Sequence, residues 1–257
     1  MGARLGTSDQ GAAAGCGGEV ERIVRQMREA WPDVKIILRA EAGFCGEELM
    51  KGCEDQGVEY VLALAKNPRR QAAIAAEMEQ AAAAFAPTGK AARVFQELAY
   101  QTLDSWSRAR RVVAKAEHLG QGANPRFVVT SGSAEAWAAR RLYEALYGAR
   151  GERENRIKEQ LMVFADRTST AWLRSNQIRL YFSSIAYLLL EALRRLGLKG
   201  TEWAQAQATT IGLKGLKIGA LIRVTVRKVG IALAGGYPYA QAWASIWERL
   251  QEVPRRN

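Results

Sequence analysis

The acidic residue Glu154 lies in a highly charged stretch, YGARGERENRIKEQ (147–160), in which seven of fourteen residues carry a charge. If this stretch is helical, four of its residues share one stripe, because they are spaced three, four and four positions apart. These residues are Tyr147, Arg150, Glu154 and Lys158. One interpretation is an exposed ladder of ion pairs, each contributing about 0.3–0.5 kcal/mol. The other is a wall of a site where a carboxylate holds a metal ion and basic neighbours bind phosphate.

A second candidate carboxylate, Glu41, follows the apolar segment IILRA (36–40), which predicts a buried strand. Open α/β sheets place their chemistry just past the carboxyl ends of parallel strands, which is the position of Glu41. Gly43 would allow a ligand or a backbone to approach closely. Metal-assisted phosphoryl transfer uses two divalent ions, held largely by carboxylate oxygens, so a pair of such acids would suit it. An ordinary solvated loop residue is the alternative interpretation of Glu41.

The charge of the chain is strongly asymmetric. Its 257 residues carry a formal net charge of +11, with a sequence pI of about 9.8. Residues 1–98 contain 12 Lys and Arg against 14 Asp and Glu, whereas residues 99–257 contain 25 against 12. This excess suits a polyanionic partner, either nucleic acid or an anionic membrane surface, and it assigns the polyanion-binding surface to the second half.

Composition also excludes several classes of protein. Nearly half of the residues are apolar, which excludes a disordered chain. The three cysteines have no metal-ligand spacing and are odd in number, which indicates a reducing compartment and no disulfide framework. The single histidine, His118, argues against a zinc site or a His-based triad and is best explained as a polar residue at a strand end. The N-terminus lacks the apolar core of a signal peptide, so we expect a cytoplasmic protein.

The first half of the chain has the pattern of a βαβ unit. Apolar residues at helical intervals predict a helix over 19–32, and apolar runs predict strands over 34–40 and 58–65. A short helix over 46–57, ended by Gly57, lies between the two strands. Strand, helix and strand joined by short links indicate a parallel sheet and an α/β fold.

The remaining elements are predicted from propensity and turn residues. An Ala-rich helix over 67–86 and antiparallel strands forming a β insertion at about 93–130 come first. Ser133 is predicted to cap a long helix reaching about residue 164, and a second helix covers 170–196, of which 180–193 is too short to span a membrane and should be buried. Segment 220–236 alternates apolar and basic residues, which fits either a strand with one basic face or a basic helix. The resulting divisions are a loop or disordered region over 1–18, a core over 19–66 and a helical then β insertion over 67–132. The long helix and a basic C-terminal part, over 133–257, belong to the same domain as the core.

Taken together, several stretches resemble the DDE-type transposases of insertion sequences, most closely the group numbered 1380. They follow one another in the same order as in that family, over nearly the whole chain, and are specific only as a set. They are ILRAEAGFC (37–45), GVEYVLALAKN (57–67), DSWSRARRVVAKAEHL (104–119), GANPRFVVTS (122–131), YGARGERENRIKEQ (147–160), ADRTSTAWLRSNQIRLYFSSIAYLLL (165–190) and LKGLKIGA (213–220).

The resemblance implies a partial RNase H-like fold with an inserted β region and C-terminal helices, and it implies roles for single residues. Glu41 and Glu154 would be catalytic acids that hold Mg²⁺ or Mn²⁺, and Tyr147 and Arg150 match the family's Tyr, two residues, Arg, three residues, Glu pattern. Lys158 would replace the family's lysine seven residues after the glutamate, where this chain has Leu161. The DNA contacts would come from Tyr147, Arg150, Lys158, Trp106, Arg108, Arg110 and Arg111, with Trp106 stacking on a base.

The sequence departs from the family pattern in two ways. The second acid is usually Asp, in RADSGF, whereas this chain has RAEAGF with Glu41, whose extra methylene displaces the carboxylate. The strand that should carry the first Asp has no counterpart before the helix at 19–32, and Asp9 does not match it. We therefore expect a transposase truncated at its N-terminus, with strand 34–40 at an exposed sheet edge. Such a chain should be catalytically inactive and either poorly stable or oligomeric.

Three functional hypotheses follow. The first is a transposase that cuts and joins double-stranded DNA at element ends and target sites, or a remnant of one, working in the bacterial cytoplasm near the nucleoid. The second is a non-catalytic DNA-binding remnant that modulates a full-length transposase by joining its oligomer, with affinity that falls steeply with salt. The third, a basic protein on a membrane surface, is disfavoured because the centre of 174–195 is apolar on all sides, so we expect no membrane partner.

Overall fold

In this computed structural model, residues 3–7, 9–11, 13–148, 155–161 and 169–253 are described. The chain divides into two compact units, and each is treated by itself. The N-terminal unit comprises Gly6–Arg153, and the C-terminal unit comprises Glu154–Asn257 together with Ala3–Leu5.

The N-terminal unit begins with the predicted βαβ arrangement. Helix α1 (Cys16–Ala30) is followed by strand β1 (Ile37–Ala40), helix α2 (Glu47–Asp55) and strand β2 (Glu59–Leu64). The two strands are parallel, with Ile37 opposite Glu59, so the predicted parallel pair is confirmed. Strand β1 is three residues shorter than predicted.

The Ala-rich stretch forms two helices and not the single predicted one. Helix α3 (Pro68–Ala72) starts where the Asn67 side chain accepts a hydrogen bond from the Arg70 amide at 2.8 Å. Helix α4 (Ala75–Phe85) starts after Ile74, whose φ of −125° interrupts the helix. The Ile74 side chain is fully buried, which indicates that core packing overrides the helix propensity of the flanking alanines.

The predicted β insertion is built into the same sheet as the βαβ unit. Its strands are antiparallel, as predicted: β3 (Ala92–Tyr100), β4 (Arg110–Leu119), β5 (Gly122–Ala123) and β6 (Arg126–Thr130). Strand β6 lies between β2 and β4, pairing antiparallel with both, so the strand order is β1-β2-β6-β4-β3 with β5 on β4. Within the described residues, β1 forms one edge of this sheet and β3 the other.

Side chains alternate between the two faces of the sheet along its central strands, and both faces are buried. Tyr60, Leu62 and Val112 pack with α1 and α2 on one face, in a cluster that includes Met50. On the other face, three valines of neighbouring strands pack against Leu142. These valines are Val61, Val113 and Val128. His118 lies near the end of β4, as predicted, and its ring lies 4.8 Å from the Phe85 ring.

The long helix predicted from Ser133 begins later and is irregular. The Ser133 hydroxyl accepts a weak hydrogen bond from the Ala136 amide at 3.3 Å, so it caps a turn and not a helix. Helix α5 (Ala139–Arg141) runs directly into a π-helical segment (Leu142–Tyr147). A further helix, α6, covers residues 155–161 of the C-terminal unit, and the rest of the predicted helix, at 149–154 and 162–164, lies outside the described residues.

The C-terminal unit is mainly helical and contains a small hairpin. Helix α7 (Leu173–Leu196) ends at Gly197 as predicted, and α8 (Ala208–Ile211) continues into a π-helical segment (Gly212–Leu216). Strands β7 (Ala220–Val224) and β8 (Val229–Leu233) pair antiparallel, which decides the alternative left open for 220–236 in favour of a strand. Helix α9 (Ala240–Gln251) follows.

The expected burial of 180–193 is found on one face of α7 only, which contains the buried residues Ser183, Ser184, Tyr187 and Leu190. Large apolar side chains recur at helical intervals along its exposed face, each between 49% and 67% exposed, because no described element covers that face. They are Ile178, Tyr181, Phe182, Ile185, Leu188 and Leu189. Among the helices of the described residues, none is long and apolar enough to cross a membrane.

Candidate functional site

Glu41 lies where its sequence context predicts, immediately past the carboxyl end of β1. Its backbone is extended, and its carbonyl accepts a hydrogen bond from the Phe44 amide at 3.0 Å, which closes the 3₁₀ turn Ala42–Phe44. The residue is exposed, so its carboxylate can be reached by a ligand. A Cβ added at Gly43 would meet nothing within 4 Å, so no backbone approaches Gly43 closely.

Tyr147 belongs to a segment that is tied to β1. The guanidinium of Arg39, two residues before Glu41, donates a hydrogen bond to the Leu146 carbonyl. The strand that precedes Glu41 and the π-helical segment that contains Tyr147 are therefore neighbours. Tyr147 is half-buried, with its ring 5.4 Å from the ring of Tyr143.

The predicted stripe of four residues is only partly visible. Arg150 and Glu154 lie outside the described residues. Lys158 is exposed on α6, in the C-terminal unit. Tyr147 is the last residue of the π-helical segment Leu142–Tyr147, whose angular spacing differs from the 3.6-residue period on which the stripe was predicted.

Trp106 and Arg110 are buried, unlike groups that contact DNA directly. Trp106 is 6% exposed and packs edge-on against Tyr100, with ring centroids 5.8 Å apart. Arg110 is 5% exposed and binds two carboxylates of α2, through contacts of 2.6 Å to Glu47 and 2.8 Å to Glu54. A base could stack on Trp106 only after the segment around it opened.

The other two predicted arginines of this region are more accessible. Arg108 has a 61% exposed side chain, although its guanidinium lies 2.7 Å from Glu54. Arg111 is bound to Glu97 at 2.6 Å and also donates to the carbonyls of Gly132 and Trp137. Of the four residues predicted here, Arg108 keeps the largest surface for a phosphate.

The electrostatics of this cluster stabilise the ionised forms. The hydrogen bond from Arg110 lowers the pKa of Glu47 to about 2, against the opposing effect of burial. Burial alone would raise the pKa of Glu54, but hydrogen bonds from Arg110, Tyr60 and Arg108 lower it to about 2. These carboxylates therefore remain charged at neutral pH and are already neutralised by arginine, which makes them poor candidates for catalysis.

The donor set for a metal ion is incomplete within the described residues. Glu41 supplies one exposed carboxylate, and no group of three or more His, Cys, Asp and Glu side chains in the described ranges is placed to hold a metal ion. Cys45 and Cys53 have pKa values raised to about 11 by burial, so they are thiols and not thiolate ligands at neutral pH. The described residues alone do not form a two-ion site.

Sequence reasoning missed two sets of residues that organise the units. Glu47 and Glu54 are seven positions apart on α2, and this spacing, which puts both on one face of a helix, was the available signal. Trp243 and Trp247, four positions apart on α9, have parallel rings with centroids 6.0 Å apart. The same helical spacing would have paired them, but nothing in the sequence placed Trp203 near them.

The fold and site define an α/β protein with an exposed carboxylate at the carboxyl end of a parallel strand and a basic second half. A family model described as transposase DDE domain group 1 matches residues 1–255. The chain therefore belongs to this family of transposase DDE domains. Membership in this family indicates a function in DNA transposition, with polynucleotidyl transfer as the reaction and DNA as the partner. No curated protein matches the sequence.

Proposed function

We propose that the chain is a transposase component of an insertion sequence of the group numbered 1380, with an RNase H-like catalytic core that acts on double-stranded DNA at element ends. The family match over residues 1–255 carries this proposal. The position of Glu41 at the end of β1 supports it, since chemistry in open α/β sheets is located there. The proposed setting is the bacterial cytoplasm, near the nucleoid.

Within this proposal, Glu41 and Glu154 are the catalytic acids, and Tyr147, Arg150 and Lys158 position the DNA backbone. The two glutamates would hold Mg²⁺ or Mn²⁺, which, when bound, stabilises the attacking and leaving oxygens of a phosphodiester. Arg108 is the most accessible of the four positions proposed in the β region. A role for Trp106, Arg110 and Arg111 on DNA requires them to leave their present partners.

We propose further that this chain does not itself cleave DNA. Glu41 carries one methylene more than the aspartate of the family pattern, and a displacement of about 1 Å of a catalytic group costs about 100-fold in rate. Within the described residues, β1 lies at a sheet edge, which supports its position less firmly than a strand paired on both sides.

A nicking assay tests this proposal. Supercoiled plasmid is incubated with the native chain in Mg²⁺ or Mn²⁺, beside Glu154→Gln, Glu41→Gln and the matched surface control Glu79→Gln. We expect no nicking by any of the four. Nicking by the native chain and by Glu79→Gln that both active-site variants lose would establish catalysis by these two acids and would overturn the inactive assignment.

The alternative function is a DNA-binding remnant that modulates a full-length transposase by joining its oligomer. The net charge of +13 over residues 99–257 favours it, because binding through phosphates needs no metal ion. Filter binding of element-end DNA between 50 and 200 mM salt, with EDTA present, distinguishes it. A loss of affinity of about 10³-fold would indicate at least six phosphate contacts, and affinity independent of salt would rule this function out.

A further inference from the structure

The C-terminal unit contains an apolar pocket of about 200 Å³ that has no part in the site described above. It lies between the end of α7, the π-helical segment after α8, and α9. Apolar cavities of about 150 Å³ accommodate a benzene ring, so this pocket has room for a six-membered ring. Its principal lining residues are Leu198, Trp203, Gly215, Leu216, Trp243 and Trp247.

The walls of the pocket provide flat aromatic surfaces. Trp203 is 3% exposed and lines the interior, where its ring packs edge-on against Tyr239 at 5.3 Å. Trp243 and Trp247 stack with an interplanar angle of 7°. Trp247 is 53% exposed, so its ring is accessible to a planar group that enters from solvent.

The sequence around the pocket is basic. Residues 203–247 contain five Lys and Arg and no Asp or Glu, although Glu202 and Glu248 flank this range. Lys199, Lys214 and Lys217 each lie within one or two residues of a lining position and are exposed. Such a charge excess beside an aromatic pocket favours an anionic ligand with a flat apolar part.

We propose that this pocket binds one nucleobase of single-stranded or locally unpaired DNA, with the base on Trp247 and the lysines near the phosphates. This inference rests on the proposed DNA-directed function and adds a base-binding site to it. Base stacking on aromatic side chains is sequence-tolerant, so the site should accept any base. An apolar peptide side chain would fill the pocket without needing the lysines.

The test compares two dye-labelled 12-nucleotide strands in fluorescence anisotropy at one salt concentration, oligo-dT and a strand of equal length with abasic sites. Both carry the same phosphates, so their affinity ratio isolates the bases. We expect the native chain to bind oligo-dT about tenfold more tightly, as one stacked base accounts for. Trp247→Ala should bring the ratio to about one, whereas Trp172→Ala, which removes another exposed tryptophan of the same unit, should leave it unchanged.

A second variant separates binding from structure. Trp247→Phe keeps an aromatic ring at this position, so it should largely retain the preference for oligo-dT over the abasic strand that Trp247→Ala loses. Equal binding of the dT and abasic strands by the native chain would overturn the pocket assignment and leave DNA binding intact. Failure to bind either strand or duplex DNA would overturn the proposed function itself.

Discussion

At the scale of single residues, Arg110 connects the β region to the rest of the N-terminal unit. Its guanidinium makes paired contacts with Glu47, at 2.6 and 3.1 Å, and with Glu54, at 2.8 and 3.1 Å. Tyr60 on β2 donates to the same Glu54 carboxylate at 2.7 Å. Strand β4, helix α2 and strand β2 therefore share one buried set of charge-assisted hydrogen bonds, which are stronger than neutral ones.

Removing the arginine should destabilise the fold strongly. Arg110→Ala leaves the carboxylates of Glu47 and Glu54 without their shared partner, and breaking a buried ion pair in this way costs about 3–5 kcal/mol. Arg108→Ala is the matched control, because its exposed contact with Glu54 contributes about 0–1 kcal/mol. Urea unfolding followed by circular dichroism gives both values. Similar losses of unfolding free energy for the two variants would show that the buried ion pairs of Arg110 stabilise the fold no more than the exposed one of Arg108.

The same cluster should make the unit sensitive to acid. The pKa values of Glu47 and Glu54 are lowered to about 2 in the folded protein, from an ordinary value of 4.5. A carboxyl with a lowered pKa contributes stability that is fully present above pH 4.5 and is lost as the pH falls towards 2. The urea midpoint should therefore fall across that window.

The acid sensitivity can be assigned to the cluster by substitution. Glu47→Gln with Glu54→Gln should be less stable than the native chain at pH 7, and its midpoint should change less between pH 4.5 and 2. Glu79→Gln, at an exposed position of α4, should follow the native pH profile. Parallel profiles for the double variant and the native chain would assign the acid sensitivity to other carboxyls, such as Glu117.

At the scale of elements, helix α2 shows how local chemistry sets the boundaries around the candidate site. Gly57 follows its last turn with a φ of +62°, a left-handed conformation that glycine adopts without a Cβ penalty. This turn allows the chain to enter β2 directly, and the parallel register of β2 with β1 follows.

Substitution by alanine should change the free energy of unfolding in opposite directions at two glycines of this region. Gly57→Ala forces a Cβ into the left-handed region and should cost about 1–2 kcal/mol. Gly52→Ala lies within α2, where an added Cβ meets nothing within 4 Å, and should stabilise by about 0.5–1 kcal/mol. Thermal unfolding of the two variants side by side measures both changes. Equal signs would contradict the backbone explanation.

The elements also show what sequence patterns could and could not predict. The βαβ unit, the antiparallel strands of the β region and the end of α7 at Gly197 follow from periodicity and turn residues, which act locally. The break at Ile74 and the π-helical segment Leu142–Tyr147 depend on tertiary packing and have no local signature. For the candidate site, the sequence predicted that Glu41 directly follows a strand, and the structure has it there. The burial of Trp106 and Arg110 depends on partners in α2 and β3 that local patterns do not specify.

At the scale of the whole molecule, exposed apolar surface and excess positive charge occur together. The apolar face of α7, defined above, is exposed, and so are apolar side chains of the β7–β8 hairpin such as Leu221, Ile222 and Ile231. Contiguous apolar surface beyond a few hundred Å² marks an interaction site or an aggregation liability. The charge of +11 opposes self-association by repulsion, so salt should shift the balance.

Self-association and DNA binding should therefore have opposite salt dependences. Raising sodium sulfate screens the repulsion and strengthens apolar burial, so sedimentation velocity should show more oligomer. DNA affinity should fall over the same range, because phosphate contacts release counterions. Phe182→Lys with Leu189→Lys, both 67% exposed on α7, should suppress the oligomer, whereas Leu103→Lys, exposed in the N-terminal unit, should not. If the chain remained a monomer that unfolds cooperatively at all salt and protein concentrations, association through α7 would be contradicted. If Leu103→Lys suppressed the oligomer equally, the effect of the α7 variants would be assigned to general charge repulsion.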